Sequence, residues 1–540
     1  MPIVVSTPNH NREAILLVSL RHDCVPSFYF FISGWKSWHN TPSTIMKLFW
    51  PLLFLVGTSL VQSEERPNFL FIISDDQAPD AIRAIGNDEI HTPNLDRLVK
   101  QGTSFVNCFN QGSWSGAVCV ASRTMLITGK TVYEAPKVKS VLLPWAHAKK
   151  ALAVEEDISV PLWPQVFREA GYDTFLTGKW HNTLESVLLA FSHGTAVGEG
   201  FYDTFDQNGS KAPGYNRPTV ENNHWTPWDP LFTGHWTPEV WNITGEGTEG
   251  VRYQVEQHTS ELYSDAAVEF LETAKESEAP FLMFVSYNAP HDPRQAPREF
   301  IDQYPPESLS LPANYLPEHP FDNGAINIRD EKLGPMPRTE EVVKVHRSEY
   351  YGIMSHMDRE IGRILDALKA SGEAENTYVI FTSDHGLAVG SHGLLGKQNP
   401  YDHSIKMPFI ICGPDIPADR KVEDMIYMQS VYATTCELAG IAIPESVEFP
   451  SLRSLAMAEE GAEGESVIFG TYQEAQRLVR TRSHKLIYYP HLDRYQLFDL
   501  EKDPYEITDV IESPDYGEVR QTLMSTLRER RIALGDGLLN

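Results

Sequence analysis

Four short apolar runs in this chain each end in side chains that can hold charge or move a proton. Asn68–Ile73 leads into Ser74-Asp75-Asp76, and Asp173–Thr177 into Gly178-Lys179-Trp180-His181. Phe281–Ser286 leads into Tyr287-Asn288-Ala289-Pro290-His291, and Tyr378–Thr382 into Ser383-Asp384-His385-Gly386. Carboxylates suit a hard cation such as Ca²⁺ or Mg²⁺. Lysine suits an anionic oxygen, and histidine suits proton transfer near neutral pH. Any one such ending is more often a solvated turn or a helix cap. Four of them read as one site, because open α/β sheets bind ligands beyond the carboxyl ends of their strands.

The elements that must position these residues follow from periodicity. Each run has the length and apolarity of a buried strand, and helical stretches lie between them, which predicts an α/β fold with a large, mostly parallel sheet flanked by helices. One helix spans about Leu162 to Ala170 and ends at Gly171; another shows its apolar face at Ile353, Met357, Ile361, Ile364 and Leu368 and closes at Gly372. Glu199 to Thr248 reads as loop, crowded with Tyr202, Tyr215, Trp225, Trp228, Trp236 and Trp241. Those rings either stack on sugar or pack the insertion onto the main body. After about residue 440 the pattern changes to short strands around Ser466–Gly470, Arg477–Arg480, Lys485–Tyr488 and Tyr495–Phe498, then a helix from about Glu518 to Leu534. The expected organisation is a catalytic α/β domain over 64–440 and a smaller antiparallel sheet plus helix over 441–540.

Composition excludes several classes. The 540 residues, 41% hydrophobic and 22% charged, can bury a large core, so a disordered or fibrous protein is excluded. A net charge of −28 argues against nucleic acid as a partner. Five cysteines without a Cys-x-x-Cys pair exclude a disulfide scaffold and a zinc ribbon. Met46-Lys47, the apolar run Leu48–Leu60 and the small residues near Ser63 have the layout of a secretory signal peptide. Translation is therefore expected to begin at Met46, with 1–45 an artefact of an upstream start and 46–63 removed on export. The destination is periplasmic or secreted, with no membrane span in the mature chain.

The sharpest motif is Cys119-Val120-Ala121-Ser122-Arg123, followed by Thr124–Thr128 and Gly129. It resembles the sulfatase family's Cys-x-Pro/Ala-Ser-Arg segment and short helix ending in Thr-Gly. The strand endings above, Gly393-Leu394-Leu395-Gly396-Lys397 and the tail Leu497–Pro504 match further sulfatase landmarks in order. The resemblance covers about residues 66–510, with Ala121 in place of the commoner Pro and Lys130 in place of Arg.

That resemblance implies an alkaline-phosphatase-like fold and a sulfuric ester hydrolase. It implies that Cys119 is converted by a maturation enzyme to formylglycine, whose hydrate attacks sulfur with one hydroxyl and expels sulfate as the other re-forms the aldehyde. A thiolate could attack, but its sulfur ester has no easy exit. Asp75, Asp76, Asp384 and His385, with the modified Cys119, would hold one Ca²⁺, or Mg²⁺ as second choice. Arg123, one helical turn after the nucleophile, would brace it, and Lys179 and Lys397 would neutralise the sulfuryl oxygens. His181 would take a proton so that sulfate leaves, and His291 would protonate the departing alcohol. The expected substrate is a sulfated small molecule or glycan, and export with an acidic surface fits glycan degradation. A phosphonate or phosphate ester hydrolase of the same superfamily is the alternative, and a non-catalytic glycan binder the third. Cys108 reads as a buried small residue. Whether Cys412 pairs with Cys436, and whether His392 and His403 touch the leaving group or pack, stays open on the sequence.

Overall fold

The computed structural model describes residues 66–143, 156–198, 200, 217–218, 226–243, 250 and 252–538. The stretch 1–45, the expected leader 46–63, Tyr202, Tyr215 and Trp225 lie outside the described residues.

Among the described residues eleven strands precede the tail: β1 (Asn68–Ser74), β2 (Thr103–Phe109), β3 (Gly112–Ser113), β4 (Asp173–Lys179), β5 (His193–Gly198), β6 (Glu239–Ile243), β7 (Tyr253–Gln254), β8 (Phe281–Ser286), β9 (Thr377–Ser383), β10 (Lys406–Cys412) and β11 (Arg420–Tyr427). Ten of them form one sheet in the order β11-β2-β10-β9-β1-β8-β4-β5-β6-β7. The four strands whose endings carry the chemistry, β9, β1, β8 and β4, are adjacent and parallel at its centre. Register then fixes the site: Ser74 pairs with Ser383, Ile73 with Ser286, and Gly178 with Ser286. The residues that follow, Asp75, Asp384, Lys179 and the His291 turn, leave the sheet at one level of one edge.

The strands are buried on both faces, which is why they read as continuous apolar runs. Phe69, Phe71 and Ile73 face one core cluster with Trp163, Phe167 and Phe284, while Leu70 and Ile72 face the other. The second face is covered by the helices Thr259–Ala274 and Glu340–Ser371. The longer one buries Ile353, Met357, Ile361, Ile364 and Leu368 as its period predicts, on the order of 10 kcal/mol of transfer free energy before conformational entropy is subtracted. It is capped by the Thr339 side chain and stopped by Gly372, whose φ of +89° suits glycine.

The second sheet has the order β15-β14-β13-β12-β3, with β12 (Ile468–Tyr472), β13 (Gln476–Arg480), β14 (His484–Tyr489) and β15 (Arg494–Asp499). Those four are antiparallel, as expected, and the helix Gly517–Ala533 packs against them. One member was not anticipated: β3 joins in parallel from far upstream, immediately before the cysteine segment. The insertion is also less loop-like than its composition suggests, because β6 adds antiparallel to β5. Its described tryptophans pack rather than project. Trp241 is buried, Trp228 lies under Arg298, and Trp236 donates to the Pro227 carbonyl.

Burial pushes His235, His319 and His392 down to about 4. They are neutral when folded, whereas the unfolded chain takes up protons below about 6.5. Their contribution is complete above pH 6.5 and lost as pH falls from there toward 4, on the order of a few kcal/mol together. The urea midpoint is expected to drop between pH 7 and pH 5, and a flat midpoint would contradict this.

Candidate active site

Cys119 lies in the first turn of the helix Val118–Thr128, all eleven residues of which are buried. Gly129 ends the helix with a φ of +67°, as the Thr-Gly motif requires. The Sγ atom is 3.3 Å from His385 Nε2, 3.5 Å from Lys397 Nζ and 3.9 Å from Asp76 Oδ1. Burial, with Asp75 beside it, pushes the thiol well above its usual range against Lys179 and Lys397.

Around it the strand endings interlock. Lys179 Nζ bonds the Asp75 carboxylate, and Lys397 Nζ bridges both oxygens of Asp76 at 2.8 and 2.7 Å. Arg123 reaches past the cysteine and ties three strand ends together. Its Nε donates to Asp384 Oδ2 at 3.0 Å, and its Nη1 to the Lys179 carbonyl and to Ser286 Oγ. Asp384 in turn accepts the Asp76 amide at 3.2 Å. Asp76 takes a left-handed φ of +69°, a conformation uncommon outside glycine that aspartate adopts more readily than most and that the surrounding bonds hold in place.

Charges within this cluster oppose one another. Asp76 is pushed well up by burial and by Asp75 and Asp384, against the pull of Lys397. Burial also raises Asp75, but Lys179, His291 and Arg123 outweigh it and hold that carboxyl below its usual value.

The donor set fits a cation. His385 Nδ1 lies 2.9 Å from the Gly386 carbonyl, which only accepts, so Nδ1 carries the proton. Burial keeps this histidine neutral, leaving Nε2 with a bare lone pair. That lone pair faces Asp76 Oδ1 at 3.1 Å and Asp384 Oδ1 at 3.5 Å, acceptor against acceptors. Asp75 Oδ1 is buried and receives no hydrogen bond among the described residues. Ligand atoms of Asp75, Cys119, Asp384 and His385 all lie within 4.8 Å of one another, as do those of Asp75, Asp76, Cys119 and His291.

The two remaining histidines sit at the rim. His291 Nδ1 donates to the Asp292 carbonyl at 2.7 Å, leaving Nε2 3.8 Å from Asp76 Oδ2 and 3.5 Å from Arg329 Nη2. The His291 carbonyl accepts from buried His235 at 3.2 Å. His181 has a left-handed φ of +63° and lines a cavity of about 400 Å³ with Trp180, Asn182, Trp241 and Arg252. Burial, then the charge of Lys179, keeps it neutral.

Several neighbours were invisible in the sequence. Arg329 pairs with Asp292 at 2.8 Å and Asp330 at 2.7 Å, and Asp330 lies 3.8 Å from Lys397. Asn110, at the end of β2, donates to the Asp384 carbonyl at 2.9 Å. Asp292 follows His291 directly and was the one neighbour within reach of a local reading. The open alternatives also close. His392 stacks on Tyr401 and binds the Glu506 carbonyl, and His403 binds His392, so both pack. Cys412 and Cys436 are unbridged and lie in different core clusters, and Cys108 is buried in β2.

The sheet and its gathered strand ends define a fold of the alkaline-phosphatase-like type. The chain belongs to the sulfatase family, the sulfuric ester hydrolases. The family model described as Sulfatase matches residues 67–441, and one described as N-sulphoglucosamine sulphohydrolase, C-terminal, matches 390–533. An arylsulfatase of Clostridium perfringens is 27% identical over 499 residues, covering 87% of this chain and 96% of that one. In fold, the chain is similar to a protein solved with its substrate D-glucosamine-2-N,6-O-disulfate (TM-score 0.65, 20% identity, 88% of this chain, 99% of that one). It is equally similar in fold to the phosphonate monoester hydrolase of Agrobacterium radiobacter (TM-score 0.65, 22% identity, 87% and 96%).

Proposed function

We propose that this sulfatase removes a sulfate ester from a carbohydrate, with Cys119 matured to formylglycine and one Ca²⁺, or Mg²⁺ as second choice, held by Asp75, Asp76, Asp384 and His385. The observation that carries this reading is the convergence of the bare His385 Nε2, the unbonded Asp75 Oδ1 and the carboxylates of Asp76 and Asp384 around the helix-borne Cys119. A divalent cation bound there would polarise a sulfuryl oxygen and acidify the attacking hydroxyl. The hydrated aldehyde would supply two hydroxyls on one carbon, one to attack and one to release sulfate.

The chain's own residues do the rest. Asp75, Asp76 and Asp384 balance Lys179, Lys397 and Arg123 in charge, so a bound dication leaves the pocket positive toward an anionic sulfate ester. Lys397 Nζ, already beside Sγ, can turn to a sulfuryl oxygen. Lys179, held by Asp75, adds its charge from the opposite strand end. His181 would hold the proton taken as sulfate departs, and His291, whose Nδ1 proton stays on the Asp292 carbonyl, would take a second proton from solvent on Nε2 and pass it to the leaving alcohol. The carbohydrate assignment draws support from the glucosamine-sulfatase model over 390–533 and from the sugar-sulfate complex of the same fold. Matured protein is expected to release sulfate from defined sulfated saccharides. Turnover of a phosphonate ester alone would overturn the assignment.

Export through the leader at 46–63 belongs to the same reading, as does dependence on a formylglycine-generating enzyme of the producing cell. No helix among the described residues is long and apolar enough to cross a membrane. Secreted protein is expected to begin near Glu64. Terminal sequencing that finds residues 1–45 on it would count against the start at Met46.

A further inference from the structure

We propose that Asn288 is a positioning residue that sets His181 through Gly200, so that one strand-end turn places both rim histidines. The inference rests on the proton-transfer roles proposed above for His181 and His291.

Asn288 lies two residues beyond β8 and is 2% exposed. Its backbone carbonyl accepts the His291 amide at 3.0 Å, which closes the turn that carries His291. Its side chain points the other way, across β4. Nδ2 donates to the Gly200 carbonyl at 3.0 Å, and Oδ1 accepts from the Tyr263 hydroxyl at 2.8 Å. Tyr263 is fully buried in the helix Thr259–Ala274, so the amide is anchored from behind and its orientation is fixed.

Gly200, two residues past β5, is where this anchor meets the imidazole. A Cβ built on it would lie 2.3 Å from His181 Nε2 and 2.6 Å from Cδ2. No side chain fits there while the ring keeps its place. Gly200 is therefore the surface against which the ring rests, and Asn288 holds that surface at a set distance. Loss of the amide frees the Gly200 carbonyl to withdraw and lets the ring leave the position that the glycine sets.

The chain of contact is local and directional: Tyr263 to Asn288, Asn288 to Gly200, Gly200 to the His181 ring. A misplacement of about 1 Å in a proton-transfer group costs up to about a hundredfold in rate. Asn288 does not touch the reacting atoms, and its side chain, unlike the backbone carbonyl that closes the His291 turn and survives substitution, reaches only the support of His181. This sets a sharp condition: its substitution matters only while His181 is present.

The test is a double-mutant cycle on matured protein with an aryl sulfate, kcat and KM measured separately. Asn288→Ala and Gly200→Ala are each expected to lower kcat about tenfold or more with KM little changed. In a His181→Ala background both are expected to cost nothing further, because the ring they steer is gone. Tyr263→Phe, which removes one hydroxyl and no bulk, is expected to lie between wild type and Asn288→Ala. A readout independent of turnover is the Cε1 proton resonance of His181 in protein carrying unconverted Cys119, identified by its loss in His181→Ala. It is expected to shift in Asn288→Ala and Gly200→Ala while the His385 resonance stays. An impaired His181→Ala with losses that add in full would overturn the positioning role and leave the reading of His181 intact. A His181→Ala variant at wild-type rate would overturn that reading and this inference with it. Unchanged resonances in both variants would overturn the inference even if a variant proved poorly stable.

Discussion

Cys119→Ala is expected to abolish sulfate-ester hydrolysis in every producing cell, a loss of about 10⁴-fold or more on the scale set by removing nucleophiles from other covalent hydrolases. The fold should survive it. The side chain is 2% exposed and points into the polar cluster, and alanine suits a helix turn. Melting temperature is therefore expected to stay close to wild type while turnover vanishes. Cys119→Ser tests the proposed conversion of the thiol. In a host that modifies only cysteine it is expected to be nearly inactive, because a plain hydroxyl accepts the sulfuryl group but cannot expel it by re-forming an aldehyde. The deciding measurement is the mass of the peptide from Gly116 to Arg123 in protein from a maturation-competent host and from one lacking the enzyme. Sulfatase turnover with only unmodified cysteine in that peptide would overturn the mechanism.

Asp384→Ala is expected to have the next largest effect, and to strike twice. It removes a carboxylate from the cation-ready cluster, and it strips the partner from Arg123 Nε. The guanidinium is 2% exposed and its Nη2 already has no acceptor among the described residues. Leaving such a charge buried and uncompensated costs about 3–5 kcal/mol. Activity, bound metal and melting temperature are all expected to fall. Asp384→Asn separates the two effects, since the amide oxygen can still accept from Arg123. That variant is expected to fold, with metal and turnover much reduced. Metal content by mass spectrometry reads this directly, and full activity after exhaustive chelation would refute the cation's part in it.

The central strands were legible because each is buried on both faces and therefore apolar without interruption. The outer strands were not. β10 carries Pro408 at a bulge between Met407 and Phe409, which breaks its pattern, and β6 is hidden in an insertion whose Gly, Pro and Trp content reads as loop. Within the site, residues at strand ends and those in the Cys119 and Lys397 motifs are legible, and the remaining residues delivered by aperiodic loops are not. Arg329 and Asp330 lie in a segment with no period, and only the folded chain brings them to His291 and Lys397. Its place in the motif makes Arg123 a brace for the nucleophile. Its bonds to Lys179, Ser286 and Asp384 show a wider task that no spacing could reveal. The fates of His392 and His403 depend on Tyr401 and Glu506, the latter more than 100 residues away, and such a pairing leaves no local trace.

The common level at which Ser74, Ser286 and Ser383 leave the sheet divides the labour of the molecule. A ladder of backbone hydrogen bonds spaces the charged groups of the site, and slipping any rung by one residue would turn the whole strand inside out. That part cannot drift gradually; it is kept or lost. The loops beyond the edge carry no such ladder, so their lengths and side chains can be exchanged without moving Asp75, Asp384 or Lys179. New specificities can therefore be grafted at the mouth of the pocket while the strand-borne groups beneath stay in place, provided that Gly200, His235 and the β6 ladder, which support the two histidines and the sheet, are kept.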